Sequence, residues 1–269
     1  MGKLMKYELR SMLRLFAPLW AAILALSILN HFTVRVEALS TLLHGIPAIV
    51  LMILYVVGIL AMIVVALAFL IQRFYVGLLK DEGYLMFTLP VKTSALLWAK
   101  CLSATILILA TTLVSVASAL VMALDGDTLR SVHEGIQELS RRVDNFGGLM
   151  TLTLILGLVL LVVSTVKSIL QAYLAMCIGQ LASKHKAGFS VLAYVGITIV
   201  LSAVFTTAMT LAENNAWFAE MAKVLNFSEM PTAGMIWFAF GVLFVIAAIQ
   251  IAIFYFPAQA ILQHKLNLE

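Results

Sequence analysis

The chain has 269 residues, of which 63% are hydrophobic and only 11% charged, with a mean hydropathy of +1.09. An average soluble domain is roughly 45–50% apolar and about 25% charged, and folding cannot hide such an excess, because too few charges would remain to cover a water-facing surface. A soluble enzyme, a disordered tail and a disulfide scaffold are therefore excluded. The net charge of +4 does not point to nucleic acid, since the basic residues are spread thinly among apolar runs.

Charge-free gaps are the informative unit, because a charge at mid-bilayer costs about 2.5–3.5 kcal/mol on insertion scales. A span needs about 20 residues to cross about 30 Å of hydrocarbon. Six gaps are long enough: Arg14 to Arg35, Glu37 to Arg73, Lys100 to Asp125, Asp144 to Lys167, Lys186 to Glu213, and Glu229 to Lys265. They predict helices near 16–34, 47–71, 101–123, 149–170, 189–211 and 235–257. Runs such as 149–166 are too long and continuous for barrel strands. The expected fold is all-α and integral to the membrane: one transmembrane domain over 1–269, six helices, and an interfacial helix at the N-terminal end. The first apolar run is about twice the length of a signal peptide's core and no small-x-small cleavage site follows it, so it reads as a retained anchor.

Taken from the start, the stretch 3–16 is amphipathic. Lys3, Lys6, Arg10 and Arg14 share one arc of a helix, and Leu4, Met5, Leu9, Met12 and Phe16 share the other side. Its basic face suits anionic lipid on the inner leaflet. Glu8 falls on the apolar side, which lipid does not explain and which points to a contact with a cytoplasmic partner or another loop.

The loop 72–100 is the most distinctive segment. After Arg73-Phe74-Tyr75 comes a polar start, Lys80-Asp81-Glu82-Gly83, then the apolar cluster Tyr84-Leu85-Met86-Phe87-Thr88-Leu89 ended by Pro90. Gly83 and Pro90 mark helix or turn boundaries, and Thr93 suits the N-cap of the helix entering the third span. Tyr84, Met86, Phe87 and Leu89 need cover, either against the membrane surface or in a groove of a partner subunit.

The loop 124–148 carries Leu129, Val132, Ile136, Leu139 and Val143 at spacings of 3 and 4, one apolar stripe on a helix over 127–143. That helix rests on the outer leaflet or on the protein's own loops, or meets a second copy. Trp217, Phe218 and Phe227 in the loop 212–234 suit an interfacial aromatic belt.

Inside the spans the polar groups are mostly hydroxyls. Ser190, Tyr194, Thr198, Ser202, Thr206 and Thr210 follow an i, i+4 ridge on the fifth helix, and Thr111, Thr112, Ser115 and Ser118 share an arc of the third. Helix packing is one use for them; a translocation surface or dimer seam, built on Thr198, Ser202, Thr206, Thr111 and Ser115, is the other. Lys167, near the end of the fourth span, either snorkels or lies by an inner gate. No carboxylate lies within the six predicted spans, so a proton- or sodium-coupled carrier is disfavoured and the energy for any transport enters from another chain.

Phosphate-loop, dinucleotide, nucleophile-elbow and zinc spacings are absent, and the five histidines are scattered, so no catalytic, cofactor or metal residue is expected in this chain. Cys101 and Cys177 fall at cytoplasmic helix ends and should be free thiols.

Orientation follows from the distribution of Lys and Arg. With both termini cytoplasmic, twelve basic residues lie inside and five outside; adding the acids makes the inner side +8 and the outer side −4, which the net +4 conceals.

The run Asp81-Glu82-Gly83-Tyr84-Leu85-Met86-Phe87-Thr88-Leu89-Pro90, with Lys100 closing the segment, resembles the signature of membrane subunits of bacterial type-2 ABC exporters. Lys6-Tyr7-Glu8-Leu9-Arg10, Ile178-Gly179-Gln180-Leu181 and Lys184-His185-Lys186 agree with it, as does the six-helix plan over the whole chain. The resemblance implies a multi-pass permease of the cell membrane that pairs with a second copy or a sister permease and recruits two ATP-binding cassette ATPase subunits, which would hold ATP and Mg. It implies that a coupling helix in 72–100 docks in the ATPase through Glu82, Tyr84, Met86, Phe87 and Leu89, braced by the N-terminal helix and Glu8. It also implies short helices near 213–231 capping the exit, whereas the helix 127–143 departs from the family's minimal pattern. The expected substrate is amphiphilic, drug-like or an antimicrobial peptide. The competing reading is a non-transporting sensor or assembly protein that binds another cytoplasmic protein through the same loop.

Overall fold

The computed structural model describes residues 2–35, 46–79, 93–123, 126–142, 146–182, 185–214 and 232–264. Among them are seven α-helices and no strand: α1 (Gly2–Arg35), α2 (Ile46–Phe74), α3 (Thr93–Ala123), α4 (Gly126–Arg142), α5 (Phe146–Gln180), α6 (Lys186–Asn214) and α7 (Thr232–His264). A π-helical turn, Tyr75–Leu79, prolongs α2. Six of the helices, all but α4, are long and apolar enough to cross a membrane.

The surface is the reverse of a soluble protein's. Val64, Leu113, Val191, Leu192 and Val245 are each 60% exposed or more, while Glu8, Lys100, Ser103, Thr105 and Ser118 are buried. Exposed aliphatic faces of this extent need lipid for cover, and polar groups in such a medium must find partners within the protein.

The helices outrun the predicted spans. The interfacial helix expected at 3–16 and the span expected at 16–34 form one helix of 34 residues, roughly 51 Å at about 1.5 Å per residue. Pro18 lies inside it; its missing N–H forfeits one backbone bond without ending the helix. α3 starts at Thr93, where the sequence places the helix start, and so eight residues before the span expected at 101; Lys100 does not bound the helix because its charge is matched in the interior by Glu8. α5 likewise continues through Lys167 to Gln180 instead of ending near 170. The expected loop 72–100 therefore shrinks at both ends, and its centre, 80–92, lies outside the described residues. The helix expected at 127–143 runs Gly126–Arg142, with Val132 and Ile136 exposed.

The chain forms two compact units, Met1–Arg73 with Trp98–Gly147, and Phe74–Leu97 with Gly148–Glu269. In the first, α1 and α3 run parallel at a nearly constant sequence offset. Glu8 meets Lys100, Trp20 Nε1 donates to Thr111 Oγ1 at 3.3 Å, and Asn30 Nδ2 donates to Met122 Sδ at 3.8 Å, separations of 92, 91 and 92 residues. α2 runs antiparallel to α1: Phe69 meets Phe16 edge-on at 5.5 Å and Arg73 Nη1 donates to Ser11 Oγ at 3.2 Å. Ile23, Tyr55 and Met62 form the apolar centre, with Trp20, Leu26, Ile59 and Met122 packed on it.

Tyr55 and Ser118 are joined at 2.9 Å, and Ser118 donates its single proton to the Ser115 carbonyl at 2.8 Å, so the Tyr55 hydroxyl is the donor between helices. Such bonds average about 0.6 kcal/mol in membrane proteins. Tyr55→Phe should accordingly lower stability in detergent by about 0.5–1.5 kcal/mol, with Ser118→Ala in the Tyr55→Phe background adding little; a double-mutant cycle of thermal unfolding checks this.

In the second unit, Phe74 stacks on Tyr173 at 3.8 Å between ring centres, and Gln171 Nε2 donates to Thr198 Oγ1 at 2.9 Å, joining α5 to α6. Leu181 and Ala182 donate to the carbonyls of Ile178 and Gly179, and His185 adopts φ 56° at the start of α6, where its carbonyl accepts from Phe189. Gly179 lies so close to Ser190 that an added Cβ would overlap its Oγ and come within 2.7 Å of its Cα and backbone nitrogen.

Candidate functional site

The principal polar constellation lies near the N-terminal ends of α1 and α3. Glu8 is two turns into α1 and Lys100 two turns into α3; the parallel register brings them together. Lys100 Nζ is 2.9 Å from Glu8 Oε1, with the two side chains only 4% and 8% exposed. Ser103, one turn beyond Lys100, reaches Glu8 Oε2 at 2.9 Å, with the Lys100 carbonyl at 3.0 Å as a competing acceptor for its one proton. The carboxylate is the stronger acceptor because it is charged. Both oxygens of Glu8 are thus occupied inside the chain.

The net worth of such a pair is small, since desolvation offsets most of the attraction, but an unmatched charge in the same place is costly. The pair therefore fixes register: sliding α3 by one turn against α1 would pull the two opposite charges apart. The indication in the sequence was the lone acid on the apolar side of an amphipathic stretch. The identity of its partner, 92 residues away, had no local sign.

On the outward side of α1, Tyr7, Arg10, Ser11 and Arg14 line an open groove of about 390 Å³. Arg73 of α2 bonds to Ser11 there and lies over the Phe69 ring at 5.9 Å. Arg10 and Arg14 belong to the basic face that the sequence assigns to anionic lipid, whereas the part of Ser11 and of Arg73 from α2 has no sign in the sequence.

The expected docking residues Glu82, Tyr84, Met86, Phe87 and Leu89 lie outside the described residues, as do 215–231 of the expected exit cap. Of the expected path or seam residues, Thr111 is buried and accepts from Trp20, while Ser115 donates to the Thr111 carbonyl at 2.9 Å. Thr198, Ser202 and Thr206 are exposed on α6. Thr198 donates to the Tyr194 carbonyl at 2.8 Å and accepts from Gln171, and Ser202 donates to the Thr198 carbonyl at 2.9 Å. Lys167 is half-buried on α5. Thr111 and Ser115 belong to the first unit and the others to the second.

A common device recurs at Thr111, Ser118 and Thr198. Each hydroxyl gives its proton to a carbonyl of its own helix and accepts from a donor on another, which satisfies the oxygen without a free O–H in an apolar medium. Cys101 and Cys177 are buried inside α3 and α5, free of any disulfide.

No protein-family model, curated protein or solved structure matches the chain.

Proposed function

We propose that this chain is the permease subunit of an ATP-binding cassette exporter, a multi-pass protein of the cell membrane with both termini cytoplasmic. It carries the substrate path for an amphiphilic, drug-like or antimicrobial-peptide molecule, pairs with a second permease, and has no ATPase activity of its own. Two ATPase subunits, holding ATP and Mg, dock on 80–92 through Glu82, Tyr84, Met86, Phe87 and Leu89.

One observation supports this reading above the others. Two of the stretches that resemble type-2 exporters, Lys6–Arg10 and the segment closed by Lys100, are joined by the buried Glu8–Lys100 pair. α3 begins directly after the segment assigned to docking, and the pair ties its first turns to α1. A displacement applied at 80–92 would then move α1 and α3 as one body, because shear between them separates opposite charges in a low-dielectric interior. In that role Glu8 braces the coupling segment through Lys100.

The test is co-purification of the full chain with a cassette ATPase encoded beside it, together with ATP-dependent transport in vesicles. Tyr84→Asp with Leu89→Asp should abolish both, since two carboxylates would be buried in an apolar socket. If association and transport survive that double substitution, docking at this segment is wrong. Absence of any ATPase partner would favour the sensor or assembly reading.

A further inference from the structure

We propose that the groove of Tyr7, Arg10, Ser11 and Arg14, together with Arg73 bonded to Ser11, binds the phosphate headgroup of an anionic membrane lipid. The proposal is independent of the exporter reading and stands whether or not the chain transports anything.

The four lining residues have spacings of 3, 1 and 3, which puts them on one face of α1. Arg10 and Arg14 are exposed, and Arg73 reaches the same Ser11 hydroxyl from α2 at 3.2 Å. Two arginines thus line the groove, and a third bonds the hydroxyl at its wall. Among the described residues no carboxylate pairs with them, since Glu8 is committed to Lys100 and Ser103 on the buried side. Arg73 Nε is buried and has no hydrogen-bond partner among the described residues. Forked N–H donors of this kind match phosphate oxygens, and like charges so grouped favour an anion.

The position selects a lipid over a soluble phosphate. Arg14 is the last charge on α1 before a charge-free run that reaches Arg35, so the groove stands where polar surface gives way to apolar surface. Tyr7, 72% exposed, marks the polar side, while exposed Leu15 on α1 and Leu67 and Ile71 on α2 lie on the apolar side. A headgroup in the groove would have acyl chains running along those aliphatic side chains, and tyrosine and arginine are the residues that hold this level of a bilayer.

The full chain, purified in detergent, is offered phosphatidylglycerol, phosphatidylcholine or inorganic phosphate alone, and retained ligand is read by native mass spectrometry. The wild type should retain phosphatidylglycerol in preference to phosphatidylcholine. Arg10→Gln with Arg14→Gln should reduce that preference by about tenfold or more, on the scale that basic residues near a membrane surface contribute. Arg130→Gln with Arg141→Gln, an equal loss of charge from two exposed positions on α4, should leave it unchanged. Equal retention of the two lipids by the wild type, or an equal loss in the α4 variant, overturns the proposal. Displacement of phosphatidylglycerol by millimolar inorganic phosphate would make it a free-anion site. Loss of a co-purifying protein with lipid preference intact would make it a protein contact.

Discussion

Replacing Lys100 with methionine is expected to cost about 3–5 kcal/mol of stability, because the buried Glu8 carboxyl would lose its counter-charge and, among the described residues, keep Ser103 alone as a partner. Glu8→Gln should also lower stability, by removing the carboxylate that the buried Lys100 ammonium faces at 2.9 Å. The combined variant Glu8→Gln with Lys100→Met should recover most of the loss, since the amide and thioether leave no bare charge and the volumes are similar. Thermal unfolding in detergent, followed by fluorescence of tryptophan with Trp20 on the same helix, measures all three. Additive losses in the double variant would mean that the two side chains contribute separately and that the pair does not hold the register of α1 and α3.

The second large effect is expected at Gly179. A methyl group there meets the Ser190 Cα and backbone nitrogen at 2.7 Å, atoms that no rotamer change can move aside. Gly179→Ala should therefore open the turn between α5 and α6 and lower stability by about 1–3 kcal/mol, with valine worse than alanine. Ser190→Gly in the Gly179→Ala background should restore only part of this, since it removes the hydroxyl overlap and leaves the backbone contact. Thermal unfolding and the rate of proteolysis at 181–186 report the change. Wild-type behaviour of Gly179→Ala would show that the two helices do not approach as closely as described. Gly58 offers a contrast: the atom nearest its added Cβ is Ile23 Cδ1, at 2.9 Å, the tip of a side chain that can turn away.

The same residues show how much of the molecule could be read in advance. The gap from Asp144 to Lys167 identified a span, but α5 continues through Lys167 to Gln180, because a half-buried lysine inside a helix does not terminate it. The gap after Lys100 placed the start of the third span eight residues late for a different reason: Lys100 is inside, neutralised by Glu8. Glu8 itself was legible as an anomaly, an acid on the apolar side of its helix, though its partner was not. Gly179 lay within a stretch singled out by resemblance, but nothing local distinguishes a glycine that admits a backbone from one that merely occurs in a helix. The docking residues between Glu82 and Leu89 were legible only as an apolar cluster in need of cover, which is a statement about burial and not about the occupant.

By itself the sequence determined the solvent of this protein and the number of its crossings. Both depend on the free energy of moving charge and backbone into hydrocarbon, a sum over neighbouring residues that a linear scan can take. The tertiary structure alone decided which charge meets which, how α1 and α3 stay in register from Glu8 to Met122, and that Arg73 of α2 reaches Ser11 in the groove of Arg10 and Arg14. Those outcomes depend on distances between residues about 60 to 90 positions apart in the chain. In an apolar medium they are settled by the few pairings that leave no polar group without a partner.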